Sequence, residues 1–128
     1  MASQLKVDTI TGVTTAGSIS VTGEGNSTTT NLQQSLVKVW AKFNGSSFGE
    51  LDSFNVSSFT DSGTGNYTVN INNDFSNANH ASIEGSGAYH TVNDAANAAG
   101  TLNLACYNSS HSNADESRVA VHSCGDLA

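Results

Sequence analysis

The sequence contains no proline, and charged residues make up only 12% of its 128 residues. Globular domains carry about 25% charged residues, so this composition differs from that of an ordinary cytosolic enzyme. Disorder accompanies high charge and a loss of hydrophobic periodicity, whereas this chain has little charge and keeps its alternation. We therefore expect a folded protein whose surface is polar but largely uncharged.

Positive charge is especially scarce: four cationic residues face eleven acidic ones, which gives a formal net charge of −7. The cations are Lys6, Lys38, Lys42 and Arg118. They form no basic stripe that could release counterions from nucleic acid phosphates, and the same deficit disfavours anionic membranes. We expect no nucleic acid partner.

Long apolar runs are also missing. A spanning helix needs about 20 consecutive apolar residues, and residues 1–6, MASQLK, lack the apolar stretch of a signal peptide. We therefore expect no leader and no membrane insertion. The two cysteines, Cys106 and Cys124, are expected to be free thiols, because a cytoplasmic chain is kept reduced.

Motifs for metal binding or catalysis are absent from the sequence. The histidines are isolated, without H-x-H, H-E-x-x-H or C-x-x-C spacing: His80, His90, His111 and His122. Asp115 and Glu116 could join Asp94 or Asp52 in a loop calcium site, although solvated loop carboxylates are the commoner arrangement. No G-x-S-x-G elbow occurs. We expect no metal, no cofactor and no enzymatic activity.

What the chain does have is Ser, Thr, Asn and Gly, which account for 59 of its 128 residues. The clearest pattern is the alternation over 53–72, SFNVSSFTDSGTGNYTVNIN, which predicts two strands joined by a glycine-rich turn. A tip at Ser62 and Gly63 would place the apolar residues on one face, with Gly63 and Gly65 at positive φ. The predicted cross-strand pairs are Phe54–Ile71, Val56–Val69 and Ser58–Tyr67.

Residues 30–44 carry two competing patterns. Apolar residues recur at helical spacing after a capping box formed by Thr30 and Gln33, yet β-branched residues alternate from residue 37 onward. We predict a helical turn over 31–36 followed by a strand over 37–43. Trp40 then shares a face with lysines, where it is either half-covered by their stems or packed against a neighbouring subunit.

Further short strands are predicted in the rest of the chain, at 80–84, 88–92, 101–107 and 118–123. About seven strands at this spacing predict an all-β fold, an antiparallel β-sandwich or a barrel-like head, over residues 31–128. Residues 12–30 are rich in Gly, Thr and Ser and cannot form a core on their own, so residues 1–30 are either a loose linker or a short extended stem that several chains share. Large apolar residues are few, so the core is thin and help from oligomerisation is expected.

Residues 53–80, SFNVSSFTDSGTGNYTVNINNDFSNANH, resemble a segment of fibre and other virion structural proteins of tailed, marine-type bacteriophages. The upstream TGEGNSTTTNLQQSLVKVWAKFNGS is similar to a T-NLQQGLAKAWVNFNG run of the same proteins, and SQLKVDTIT and AVHSCGDLA resemble their two ends. Ser35 replaces a glycine of that pattern, and Ser123-Cys124 are inserted before Gly125. The likeness covers most of the chain and is weakest over 84–118.

The resemblance implies a homotrimeric virion appendage or short fibre, made in the host cytoplasm and released by lysis, with residues 1–30 as its stem and virion-attachment segment. Its partners would be copies of itself, other proteins of the tail or capsid, and a host surface glycan or protein contacted through loops 93–100 and 108–116. On this basis we expect Leu32, Leu36 and Trp40 at the subunit interface. The expected virion-attachment residues are Leu5, Val7 and Ile10.

Two alternatives stay open. A capsid decoration protein would need a site on the head lattice instead of the tail. A free-standing carbohydrate-binding β-sandwich would need an exposed aromatic platform, for which Tyr89, Tyr107 and Trp40 are the candidates.

Overall fold

The computed structural model describes residues 4–12, 19–23, 25, 27–86, 89–92 and 96–127. Two compact units, residues 1–35 and 36–128, divide the chain, and the predicted boundary at residue 30 falls within the first. Strands make up 51% of the structure, and the described residues contain one short helix. The all-β class is confirmed.

A β-hairpin followed by one turn of helix makes up the described core of the first unit. Its elements are β1 (Ser20–Thr22), β2 (Thr29–Asn31) and α1 (Leu32–Ser35). The Gln34 amide donates a hydrogen bond to the side-chain oxygen of Asn31 at 3.1 Å. Asn31 is therefore the N-cap, one residue after the predicted cap at Thr30.

Two four-stranded antiparallel sheets form the second unit. Its strands are β3 (Val37–Asn44), β4 (Gly49–Phe54), β5 (Val56–Asp61), β6 (Asn66–Ile71), β7 (Ala81–Ser86), β8 (Tyr89–Val92), β9 (Thr101–Tyr107) and β10 (Val119–Cys124). The order β4-β3-β10-β7 forms what we call the front sheet, and β5-β6-β9-β8 forms the back sheet. The first and last strands of the unit, β3 and β10, pair at the centre of the front sheet.

One hydrophobic core lies between the sheets, which makes this unit a β-sandwich. The front sheet contributes Val39, Ala41, Phe43, Val119 and Val121, and the back sheet contributes Tyr67, Val69, Ile71, Leu102, Leu104 and Cys106. The Phe43 ring meets Tyr67 edge-on at 5.2 Å between centroids and lies 5.1 Å from Phe59. The predicted inward residues of β9 and β10 are confirmed, whereas Ala105, predicted to face outward, is buried.

The predicted transition from helix to strand near residue 36 is confirmed. α1 ends at Ser35 and β3 begins at Val37. Within β3, buried Val39 and Ala41 alternate with the exposed side chains of Trp40 and Lys42, as a half-buried strand requires. Trp40 lies on the lysine face, as predicted.

The hairpin of β5 and β6 is present, but its predicted register is wrong. Val56 lies opposite Ile71 and Phe59 opposite Val69, with a bulge between Val56 and Ser58. The extra residue moves the later pairs by one position, so Phe59 packs on the core in place of Ser58. The turn spans four residues, 62–65, and not two, with φ of 112° at Gly63 and 68° at Gly65.

Asn55 separates what the sequence pattern presents as one strand into β4 and β5. Its φ is 60°, in the left-handed region that Asn tolerates better than most residues. The chain turns there from the front sheet to the back sheet. Phe54 therefore does not pair with Ile71 as predicted; it lies opposite Trp40 in the front sheet.

Candidate functional site

Four side chains form a row across the outer face of the front sheet. Phe54 is paired with Trp40, Trp40 with His122, and His122 with Ile83, so the row crosses all four strands. The exposed fractions are 54% for Phe54, 37% for Trp40 and 62% for Ile83. Directly paired side chains on one sheet face lie about 5 Å apart, so these residues form one continuous ridge, which we call the apolar row.

A groove runs beside the apolar row. The neighbouring positions on the same face are Lys42, Ala120 and Gly85, which are paired with one another across β3, β10 and β7. Because Ala120 and Gly85 are small, a depression of about 410 Å³ opens between them and the ridge of Trp40 and Ile83. The front face therefore has relief, a ridge beside a groove.

The outer face of the back sheet has a different chemistry. Most of its described side chains are hydroxyls and amides that hydrogen-bond to one another across β5, β6 and β9, while β9 also places Ala105 and Tyr107 there. Thr68 donates to the side-chain oxygen of Asn103 at 2.8 Å, and the Asn70 amide donates to Ser58 at 3.0 Å and to Thr60 at 3.2 Å. Such a surface is hydrated without charge, so the two outer faces of the sandwich differ in character.

The predicted interface residues lie in both units. Leu32 is half-buried in α1 of the first unit, while Leu36 and Trp40 are exposed on the second. The predicted attachment residues are exposed, with fractions of 81%, 53% and 56%, on a segment without regular secondary structure: Leu5, Val7 and Ile10. Sequence reasoning found Trp40 but missed Phe54 and Ile83.

The two loops predicted to contact a host lie at opposite ends of the sandwich. The described part of loop 93–100 precedes β9, and loop 108–116 follows it. β9 has seven residues, which separates its ends by about 20 Å. The described residues of the two loops are therefore separated by the length of β9. β10 starts at the end of the sandwich that carries loop 108–116. Because β3 is antiparallel to β10, the start of β3 lies at the opposite end, the one that carries residues 96–100.

The last residues of loop 108–116 hydrogen-bond to two neighbouring turns and to β6. Oδ1 of Asp115 accepts hydrogen bonds from the Gly65 amide at 2.7 Å and from the Tyr67 hydroxyl at 3.0 Å. The carbonyl of Glu116 accepts one from the Gly45 amide at 2.8 Å. Burial, and then the hydrogen bond and charge of Asp115, raise the pKa of Tyr67 above its ordinary value. This end of the sandwich is held together by hydrogen bonds between its loops.

His80 is buried beside the start of β7. Its ring stacks on Phe75 at 4.3 Å, Nδ1 lies 3.1 Å from Oγ of Ser123, and Nε2 lies 3.2 Å from the Ala98 carbonyl. A carbonyl only accepts, so Nε2 carries a proton. Ser123 has an exposed fraction of 0%, so its oxygen is closed to a substrate, and the His80–Ser123 contact holds strands together.

Among the described residues, no group of three or more His, Cys, Asp or Glu side chains is placed to hold a metal ion. In the calcium site considered above, Asp115 is engaged with Gly65 and Tyr67, and Asp94 lies outside the described residues. Cys106 and Cys124 are free thiols, as expected. The described part of the chain forms no helix that is long and apolar enough to cross a membrane.

Comparison with family models, with curated proteins and with solved structures finds no match.

Proposed function

We propose that this chain is a structural component of a tailed bacteriophage particle, a short fibre or appendage built from three copies. It acts by assembly and contact and not by catalysis. The resemblance of residues 22–80 to virion proteins supports the proposal. The observation that carries it is the apolar row, because a contiguous exposed ridge of Phe54, Trp40 and Ile83 on one sheet face is typical of a surface that another protein covers.

The two ends of the chain's β-sandwich have different roles in this proposal. The chain begins the sandwich at the end that carries residues 96–100, and we assign this end to the virion side. The exposed Leu5, Val7 and Ile10 make contact with another virion protein of tail or capsid. Loop 108–116, at the far end of β9, is then the loop that contacts a host glycan or protein, and loop 93–100 is not.

Light scattering after gel filtration tests the assembly state. We expect a species near three times the chain mass of 13.2 kDa. Gold-labelled antibody on purified particles then tests the location, with label expected on the tail. Label on the head lattice would replace the fibre with a capsid decoration protein, and particles free of the chain would contradict a virion role.

A carbohydrate-binding module is the second candidate, favoured by one observation. Trp40 and Phe54 are paired across neighbouring strands and both are exposed, which gives an aromatic surface on which a sugar ring could stack. Tyr107, considered above for this role, is half-buried. A monomer whose tryptophan emission changes on titration with bacterial surface polysaccharide would favour this candidate over the appendage.

A further inference from the structure

We propose that the outer face of the front sheet is the docking site for a second copy of this chain, with the apolar row as its centre. The inference rests on the proposed function, since it assigns a surface to the self-assembly that function requires. It goes beyond the sequence-based interface, because Phe54, His122 and Ile83 come from three other strands and meet Trp40 only in the folded sheet.

The distribution of apolar surface singles out this face. Among the sandwich residues whose side chains the structure describes, which exclude residues 86–95, every exposed large apolar side chain lies on the front sheet or beside its end: Leu36, Val37, Trp40, Leu51, Phe54, Ile83 and Leu127. On the outer face of the back sheet, polar side chains of β5, β6 and β9 bond to each other, and the Tyr107 side chain on that face is half-buried. A partner that removes apolar surface from water therefore gains most at the front face.

The relief of the front face suits contact with a copy of itself. The ridge of Trp40 and Ile83 lies directly beside the groove over Ala120 and Gly85. Three copies whose front faces turn toward a common three-fold axis can each place the ridge in the groove of the next copy. Such a contact joins two different parts of the face, ridge to groove, and closes into a ring of three.

Charge also favours a second copy over other partners. The chain has a net charge of −7, yet two of its four cations, Lys38 and Lys42, alternate with the buried residues of β3 and so face outward. Asp52, paired with Lys42, supplies a neighbouring negative charge. The face is close to neutral, so copies that repel elsewhere can approach here. Two lysines beside an aspartate are too few to hold nucleic acid.

The size of the face predicts how tightly copies hold each other. Four strands of about six residues cover roughly 19 Å by 20 Å, or about 400 Å² in projection. A standard stable interface takes about 800 Å² from each partner. Side-chain relief and the neighbouring Leu36, Val37 and Leu127 enlarge the area, but the contact stays at the small end. Association through this face alone is expected to be reversible and concentration-dependent.

A matched pair of charge substitutions tests the face. Ile83→Asp puts a carboxylate into the apolar row at a position on edge strand β7 that is 62% exposed, so the core is untouched. Thr60→Asp puts the same charge at an exposed position of edge strand β5, on the back sheet. By light scattering over a dilution series, we expect Ile83→Asp to raise the dissociation constant at least tenfold and Thr60→Asp to leave it within twofold.

Trp40 provides a second readout because it is the chain's only tryptophan. On dilution, its emission should shift to the red and its quenching by acrylamide should rise in parallel with the loss of mass. If the Ile83→Asp variant still forms multimers, and acrylamide quenches Trp40 in them as strongly as in the monomer, then this face is not the interface. The proposed appendage would still stand.

The remaining outcomes separate the second copy from other occupants. A wild-type chain that stays monomeric at all concentrations overturns docking of a second copy. If Trp40 of that monomer becomes protected when particles lacking the chain are added, the occupant is another virion protein and the virion role stands. If Trp40 also stays open to quencher and the chain is absent from particles, the proposed function fails as well.

Discussion

At the scale of single residues, Asn55 determines how the chain passes from one sheet to the other. Its side-chain amide donates to the Lys38 carbonyl at 3.1 Å and to the Asn73 carbonyl at 3.0 Å. Its side-chain oxygen accepts from the Asn73 amide at 2.8 Å. These bonds join β3, the β4–β5 corner and the segment after β6, so one side chain with positive φ fastens three parts of the sandwich.

Two substitutions at this position separate its backbone role from its hydrogen bonds. Asn55→Gly keeps the φ of 60° accessible but removes the side-chain bonds, and we expect it to lower the unfolding free energy by about 1–3 kcal/mol. Asn55→Ala removes the same bonds but keeps a Cβ in the left-handed region without the polar side chain that lets Asn tolerate it, so it should cost about 1–2 kcal/mol more than Asn55→Gly. Urea denaturation measures both. Equal losses for the two variants would show that the corner's conformation is not strained.

At the scale of elements, alternation predicted those strands whose faces are uniformly apolar or polar. Val39, Leu104 and Val121 sit on the predicted inner faces of β3, β9 and β10. The prediction failed between residues 53 and 61, because a pattern of period two contains no sign of a corner at Asn55 or a bulge after Val56. An isolated Asn between apolar residues was the available signal, since Asn tolerates positive φ.

The candidate site was less predictable than the strands. Alternation placed Trp40 on an outer face, but its neighbours in the apolar row are residues 54, 83 and 122. Two of these three pairings join strands that are far apart in sequence, and no local pattern encodes such contacts. Ile83 shares its side of β7 with Ala81, as expected, yet that side faces solvent while Ser82 and Glu84 turn inward. Large apolar side chains are usually buried, but the pairing of β7 with β10 places Ile83 on the outer face of the front sheet.

The turn between β5 and β6 depends on one of its two glycines more than on the other. A Cβ on Gly65 would lie 2.5 Å from the Cys106 carbonyl oxygen and 2.7 Å from the Ala114 amide nitrogen, at a φ of +68°. Gly63 also has positive φ, but a Cβ there would meet nothing within 4 Å. The close approach of β9 and the 108–116 loop therefore restricts position 65.

Alanine substitutions at three glycines should lower the free energy of unfolding in the order that these contacts and φ values predict. Gly65→Ala combines strain with backbone overlap, so we expect a loss above about 3 kcal/mol or failure to fold. Gly63→Ala should cost about 1–2 kcal/mol from strain alone. Gly49→Ala, where a Cβ meets open space without positive φ, should stay within about 0.5 kcal/mol of the parent. Thermal and urea unfolding give the order, and a Gly63 variant as damaging as the Gly65 variant would contradict it.

At the scale of the whole molecule, acidic charge surrounds a core that contains two neutral ionisable groups. Burial, and then the charges of Glu84, Glu116 and Asp115, raise the pKa of the Cys106 thiol from 9.0 to about 12. Tyr67 is affected in the same direction, first by its own burial and then by Asp115. Both groups are neutral in the folded state at ordinary pH. As the pH rises, they lose their protons more readily in the unfolded chain than in the folded one.

The raised pKa values predict a loss of stability at alkaline pH. The unfolded thiol gives up its proton near pH 9, while the folded thiol keeps it to about pH 12, so its contribution is complete below 9 and is lost through that window. Each pH unit there lowers the unfolding free energy by up to about 1.4 kcal/mol. In urea unfolding, the free energy of unfolding of Cys106→Ala should fall less steeply with pH than that of the parent between pH 9 and 10. Tyr67→Phe should keep the parent's slope in that interval and flatten it only above pH 10, where an unfolded tyrosine ionises; a parent and a Cys106→Ala variant with the same slope would rule out a protected thiol.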